Sequence, residues 1–335
     1  MSLEIKKLKK KMNEQEIIKG INLTIPEGEI YGFLGANGAG KTTIFRHILG
    51  IYSPDEGEIT WQGRKVDRFD AKEVGYLPEE RGLYPKRTVR QQLTFFGKLR
   101  KMKKKEIEKS ILFWMDFFKI QKNVDRKISE LSKGNQQKIQ FIASIIHGPK
   151  LVILDEPFSG LDPINANQLK EAILFLKENS ATIIFSSHQM ANVEEICENI
   201  CMMKKGEVLV EGNLKEIKDE TDKRKVIVQA DFDREILKQD FEIESYKEEN
   251  DVISFYVKDE CTAKKIQKFI FQSENIQQFR IEPISLNDIF LERVGRQSEK
   301  YSDDCFRNIQ TKSRVKSVCY YTVGFDGRDI FGNEL

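Results

Sequence analysis

An α/β fold with a mostly parallel sheet and an inserted helical subdomain, followed by a small α+β domain, is what this sequence predicts, on three observations. A complete phosphate-binding loop, Gly35-Ala36-Asn37-Gly38-Ala39-Gly40-Lys41-Thr42, stands between an apolar run and a helix-like stretch. From residue 3 to about 220, short β-branched runs alternate with amphipathic stretches, the pattern of βαβ units. After the charged stretch at residues 215–225 that pattern gives way to shorter β-rich runs.

The first strand of interest is Ile30-Tyr31-Gly32-Phe33-Leu34, and the helix after the loop begins at Thr42 and runs through Ile44, Phe45 and Ile48. This strand-loop-helix context separates the motif from an ordinary glycine-rich turn. Its glycines let backbone amides converge on phosphate oxygens, and the helix start adds its positive dipole end. Gly35, Asn37, Gly38, Gly40 and Thr43 are therefore candidate binding residues, with Lys41 reaching the terminal phosphates and Thr42 offering a hydroxyl to Mg²⁺. Residues 89–128 are rich in lysine and aromatics, with Leu93, Phe96, Leu99, Ile111, Leu112, Met115 and Phe118 at helical spacing. They predict the helical subdomain, about 89–145, within a first domain of residues 1–221.

Leu151 to Leu154 is an apolar strand ending in two adjacent carboxylates, Asp155 and Glu156. Side chains alternate along a strand, but a turn at its end can direct both toward the phosphate loop. Asp155 is then the candidate metal ligand and Glu156 the group that orients and polarises the attacking water. The third strand, at residues 182–185, is followed by Ser186, Ser187 and His188. Leu131-Ser132-Lys133-Gly134-Asn135 precedes a helical run at 136–146, so Ser132 and Gly134 present hydroxyl and amide groups at a helix start, where an anion is favoured. A simple serine cap accounts for that segment equally well on local grounds.

Residues 222–295 read as the small α+β domain, with β-rich Val226-Ile227-Val228 and 252–257, a helical stretch at 263–271, and a capped helix start at Ser285-Leu286-Asn287-Asp288. The polar stretch 296–335 reads as a loosely ordered tail.

Composition excludes several classes. The 335 residues carry 53 acids against 55 bases, and a net charge of +2 gives no reason to expect nucleic acid as a partner. No run approaches the roughly 20 apolar residues needed to cross a bilayer, and the N-terminus shows no secretion signal, so a cytoplasmic protein is expected. Cys197, Cys201, Cys261, Cys305 and Cys319 are too scattered for a disulfide framework; Cys197 and Cys201 would share one face if that segment is helical. Lysines at 6–11 and 98–105 are read as solvated faces in preference to a membrane-attracting patch.

Taken in order, the phosphate loop, Leu131 to Asn135, Asp155-Glu156, Ser159-Gly160-Leu161-Asp162 and His188 resemble the motifs of ATP-binding-cassette (ABC) ATPases over roughly the first two-thirds of the chain. Residues 75–85, 131–137 and 282–290 are similar to the sodium-exporter-type branch, which carries a small C-terminal domain. The resemblance implies a P-loop NTPase cassette, ATP and Mg²⁺ as cofactors, and an ATP-hydrolysing subunit of a transporter, an exporter in this branch. It also implies a second cassette in a head-to-tail nucleotide sandwich, an integral membrane permease as partner, and a peripheral place on the inner face of the membrane. In that arrangement Ser132 and Gly134 meet the γ-phosphate of ATP held by the other subunit, His188 bonds the γ-phosphate, and Asp162 signals between the sites. The cargo stays open between sodium, peptide and drug.

Three positions depart from the family pattern. Met12 stands where an adenine-stacking aromatic is frequent, and a thioether packs on a ring with less specificity. Glu79 replaces a glutamine; its carboxylate suits Mg²⁺ but repels phosphate without it. Asn135 in place of glutamine keeps the side-chain amide. The rival reading is a non-transport ABC ATPase acting on the ribosome or nucleic acid, although such relatives carry paired cassettes or a long coiled-coil insert.

Overall fold

The computed structural model describes residues 2–293 apart from 67, 68, 70, 71, 81, 274 and 292, so the tail expected at 296–335 lies outside the described residues. In chain order the elements that frame the site are β1 (Ser2–Met12), β2 (Gln15–Pro26), β3 (Ile30–Leu34), α1 (Lys41–Ile48), β4 (Glu56–Trp61), β5 (Arg64–Lys65) and β6 (Val74–Leu77). Then come α2 (Val89–Leu99), α3 (Lys104–Phe117), α4 (Lys133–Ile145), β7 (Leu151–Leu154), α5 (Pro163–Glu178), β8 (Thr182–Ser187), α6 (Met190–Ile196), β9 (Asn199–Lys204) and β10 (Glu207–Asn213). The last part holds α7 (Leu214–Asp219), β11 (Arg224–Ala230), α8 (Arg234–Asp240), β12 (Ile243–Glu249), β13 (Val252–Val257), α9 (Glu260–Ile270) and β14 (Ile276–Pro283), with a helical segment at 286–291.

The central sheet runs β10-β9-β3-β8-β7-β6 and is parallel except for β10. Every residue of β3, β7 and β8 is buried, which is why these strands read as continuous apolar runs rather than alternating ones. One face packs on α1 and the antiparallel sheet β2-β1-β4-β5 through Phe33, Phe45, Ile44 and Trp61; the other packs on α4, α5 and the insert through Phe141, Phe118, Ile173 and Phe185. The carboxyl ends of β3, β7 and β8 therefore lie side by side, where ligands of open α/β sheets bind.

Within the insert, α2 starts on a full capping box between Thr88 and Gln91, and α3 presents Ile107, Ile111, Trp114 and Met115 to the core. The third sheet, β12-β13-β11-β14, is antiparallel and buries Val226, Val228, Phe255 and Ile266 in a core of its own. Ile284, Leu286 and Ile289 leave that layer and join the main core. The helix start at Ser285 is capped as expected, Asp288 Oδ2 accepting from the Ser285 amide at 3.0 Å.

Two local expectations change, and a third, the solvated lysine face at 6–11, gains its partners. Cys197 follows α6 and Cys201 lies in β9, so they do not share a helical face, and burial pushes both thiols up. Gly134 lies inside the first turn of α4 rather than before it, Ser132 being the N-cap. Lysines 6–11 form a strand, with Lys6, Lys9, Lys10 and Lys11 paired to Glu4, Glu56, Asp55 and Glu16.

Candidate nucleotide-binding site

The phosphate loop joins β3 to α1, and its last glycine is the N-cap of the helix. Gly40 has φ 109°, a conformation that L side chains avoid, and no side chain caps the helix there. The first amides of α1 are thus free of a competing cap and face the loop. Lys41 is buried, and its Nζ donates to the Gly35 carbonyl at 2.7 Å while standing 3.6 Å from Glu156 Oε1. From behind, the tight turn between β9 and β10 braces the loop, the Gly206 amide donating to the Ala39 carbonyl at 3.0 Å.

A cavity of about 420 Å³ opens over this loop, lined by Met12, Ile17, Asn37, Gly38, Ala39, Gly40, Lys41, Thr42, Thr43, Glu79, Asp155 and Glu156. Parts of the chain more than a hundred residues apart meet here because β3 and β7 flank β8. Glu156 has φ 49°, the left-handed turn that lets both carboxylates at the end of β7 reach the cavity. Asp155 accepts from the Thr42 hydroxyl at 2.8 Å and from the Ser186 hydroxyl at 2.6 Å. The Glu156 amide donates to the same Ser186 oxygen at 2.8 Å, and its carboxylate Oε2 lies 2.8 Å from His188 Nδ1. Glu156 Oε1 is buried without a hydrogen-bond partner. Nearby, burial and the Asp155 charge push the Tyr76 phenol up to about 12, so it stays a neutral hydroxyl.

Among the described residues no group of three or more His, Cys, Asp and Glu is arranged to hold a metal by itself. The donors at the cavity are all oxygens, the Thr42 hydroxyl and the carboxylates of Asp155 and Glu79. That set fits Mg²⁺, which takes one or two carboxylates and completes its shell with phosphate and water.

Of the residues singled out in the sequence, Met12, Asn37, Gly38, Gly40, Lys41, Thr42, Thr43, Glu79, Asp155 and Glu156 line the cavity; Gly35 and His188 reach it through Lys41 and Glu156. Ser132, Gly134 and Asp162 do not line it. Ser132 and Asp162 are exposed N-caps of α4 and α5, and the two helix starts touch: a Cβ on Gly134 would come 2.5 Å from Asn165 Nδ2, whose own partner is Asp162. Hydrogen bonds from the Asn165 backbone and side chain hold the Asp162 carboxyl below its ordinary value. The sequence reading missed Ser186, the group that ties Asp155 to Glu156. A lone serine at the end of a strand carries no signal in the sequence; its role is set by Asp155 and Glu156, brought beside it from the neighbouring strand.

The model of the ABC transporter family matches residues 18–159, and that of the DrrA1-3-like ATP-binding protein C-terminal domain matches residues 212–294. An uncharacterised ABC transporter ATP-binding protein of Bacillus subtilis, YhaQ, is 46% identical over 293 residues, covering 88% of this chain and 98% of its own. The Nod factor export ATP-binding protein I of a Rhizobium species is 33% identical over 216 residues, 64% of this chain and 71% of the relative. Among solved structures, the dimeric post-hydrolysis state of an ATP-binding cassette bound to ADP and Pi superposes with a TM-score of 0.58 at 25% identity, covering 63% of this chain and 98% of that one. With the phosphate loop, its carboxylates and the trailing domain all in place, the chain belongs to the ATP-binding subunits of ABC transporters.

Proposed function

We propose that this subunit binds Mg-ATP in the cavity over Gly35 to Thr43, hydrolyses it through Glu156, and works in a head-to-tail pair of cassettes to drive export through a membrane-spanning permease. The observation that carries the reading is the state of Glu156. One carboxylate oxygen is fixed by His188 at 2.8 Å, and the other is buried beside the Lys41 ammonium at 3.6 Å, in an ion pair but without a hydrogen bond. The ion pair offsets part of the cost of burying that oxygen and leaves it free to accept a hydrogen bond, as a group that orients water in the reaction must.

In this reading the loop amides and Lys41 bind and orient the phosphates, which raises the rate mainly by positioning and by neutralising developing charge. Glu156 Oε1 accepts a hydrogen bond from the attacking water and polarises it, while His188 keeps the carboxylate from rotating. Thr42, Asp155 and Glu79 would hold Mg²⁺, which when bound neutralises phosphate charge. Met12 and Ile17 offer an apolar wall for the base. Ser132 and Asp162, exposed on the chain's own surface, and the half-buried Gly134 between them would face the nucleotide of the second cassette.

Export is supported by the name of the Rhizobium relative, a Nod factor export ATP-binding protein. Among the described residues no helix is long and apolar enough to cross a membrane; in this reading the passage for cargo belongs to the permease. The deciding experiment is phosphate release by wild type and Glu156→Gln, with and without co-purified membrane partner. Glu156→Gln is expected to bind ATP as wild type does, to lose at least about a hundredfold in turnover, and to accumulate as an ATP-bound dimer. Undiminished hydrolysis removes Glu156 from its role, and salt-sensitive RNA binding in place of a membrane partner overturns the transport reading.

A further inference from the structure

The loop that carries Glu79 is held by two buried glutamines. Gln140, in the third turn of α4, donates from Nε2 to the carbonyls of Pro78 at 3.2 Å and Glu80 at 2.9 Å, bracketing Glu79. Gln92, fully buried in α2, accepts from the Tyr84 amide at 3.2 Å. Both helices follow this loop in sequence and pack on each other, and each glutamine leaves one amide atom buried without a partner, Gln140 Oε1 and Gln92 Nε2. An unpaired buried amide atom is a poor choice for stability alone, since an apolar side chain of the same length would fill the space without it. A second cavity, of about 190 Å³, adjoins the clasp and is lined by Gln140, Pro78, Gly82, Leu83 and Arg100. The loop therefore has room to take a second position if the glutamine lets go.

We infer that Gln140 is a positioning residue for Glu79: by gripping the carbonyls on either side of it, α4 sets where that carboxylate stands at the mouth of the nucleotide cavity. Gln137, one turn earlier on the same helix, holds the Pro157 carbonyl at 3.3 Å, immediately after Glu156. The helix whose exposed N-terminus carries Ser132 thus grips the loops of both carboxylates from its buried face. The inference rests on the hydrolytic reading for its kinetic consequence only; the grip on the loop stands apart from it.

The test is Gln140→Met, which keeps the length and volume of the side chain and removes the donor, compared with Glu79→Ala and the double variant in the full chain. Gln140→Met is expected to lower kcat for ATP hydrolysis about tenfold, with KM within about twofold and Tm within about 3 °C of wild type. In the Glu79→Ala background the same substitution is expected to change kcat by less than about twofold, because the group it positions is gone. Equal losses in both backgrounds, or a loss that follows a fall in Tm, would show a merely structural glutamine and overturn the proposal. Hydrogen exchange gives a readout free of turnover: amides at 79–84 are expected to exchange faster in Gln140→Met, with those at 37–42 unchanged. If wild type hydrolyses no ATP, the proposed function fails, and unchanged exchange at 79–84 by itself overturns the clasp.

Discussion

Ser186→Ala is the most informative single change, because one hydroxyl serves both carboxylates. Ser186 is fully buried; it donates to Asp155 Oδ1 at 2.6 Å and accepts from the Glu156 amide at 2.8 Å. The first is a charge-assisted bond, worth about 1.5–3 kcal/mol, and losing the second leaves a buried amide unsatisfied at about 1–3 kcal/mol. Asp155 keeps its bond from Thr42, so part of the first loss is recovered, and a net destabilisation of about 2–4 kcal/mol follows. For a chain of 335 residues that is a fall in Tm of roughly 3–6 °C. Turnover should suffer more than binding. Glu156 sits at φ 49°, a backbone that costs a non-glycine residue about 1–2 kcal/mol, and the Ser186 bond to its amide helps hold it there. Relaxation of that turn moves the carboxylate off His188 while leaving Lys41 and the loop amides intact. We expect kcat to drop about tenfold to a hundredfold with the Kd for ATP within about threefold, read by steady-state phosphate release and by fluorescent-nucleotide binding on the same preparations. A Tm within about 1 °C of wild type, together with unchanged kcat, would refute the claim that Ser186 couples the two carboxylates.

Gly206→Ala tests the brace behind the phosphate loop: the residue has φ +80°, and a Cβ would meet the Ile17 carbonyl oxygen at 2.2 Å, so a loss of at least about 2 kcal/mol and weaker ATP binding are expected. Wild-type affinity in that variant would show that the turn does not support the loop. Met12→Tyr places an aromatic ring on the wall of the cavity and is expected to tighten ATP about threefold to tenfold, with a larger ATP-to-GTP preference; competition binding reads both. Acid stability should report His147, which burial, with Arg100 adding to it, pushes down to about 4. Its neutral form, held by the Val74 carbonyl at 3.1 Å, contributes stability that is fully present above about pH 6.5 and is lost as pH falls toward 4. The loss amounts to at most about 3 kcal/mol, and His147→Leu should flatten the fall in Tm between pH 6.5 and 4.

The parts of the site legible in the sequence were those whose chemistry needs contiguous residues. Phosphate binding takes consecutive amides, so Gly35 to Thr42 could be read directly, and the strand ending in Asp155 and Glu156 announced itself by an apolar run broken by two charges. Ser186 and Gln140 were not, because each acts through a partner about thirty or sixty residues away, and a serine or glutamine by itself carries no pattern. The first sheet was obscured for another reason. The register of β1 on β2 shifts after Ile5, Leu8 and Lys10, which breaks the alternation that marks a strand. Its lysines read as a solvated face because their acids, Asp55 and Glu56, come from another strand and the turn before it.

Helix α4 bears on why one chain carries both a phosphate loop and a second helix start proposed to meet an anion. Within one copy Ser132 does not line the nucleotide cavity: it is an exposed cap beside Asp162, while Gln137 and Gln140 lie on the buried face of the helix. Residues three apart on a helix share a face, so these glutamines form a single grip on the chain around Glu79 and after Glu156. A thirteen-residue helix is about 20 Å long and moves as a rigid body. If a nucleotide held elsewhere docks on its exposed end, its displacement is felt first at Pro78, Glu80 and Pro157, next to the groups proposed to act on the chain's own ATP. If the proposed pair forms, hydrolysis in each subunit is expected to answer to occupation of the facing one, and a variant blocked at Ser132 should slow turnover at its own Glu156 when both sites hold ATP.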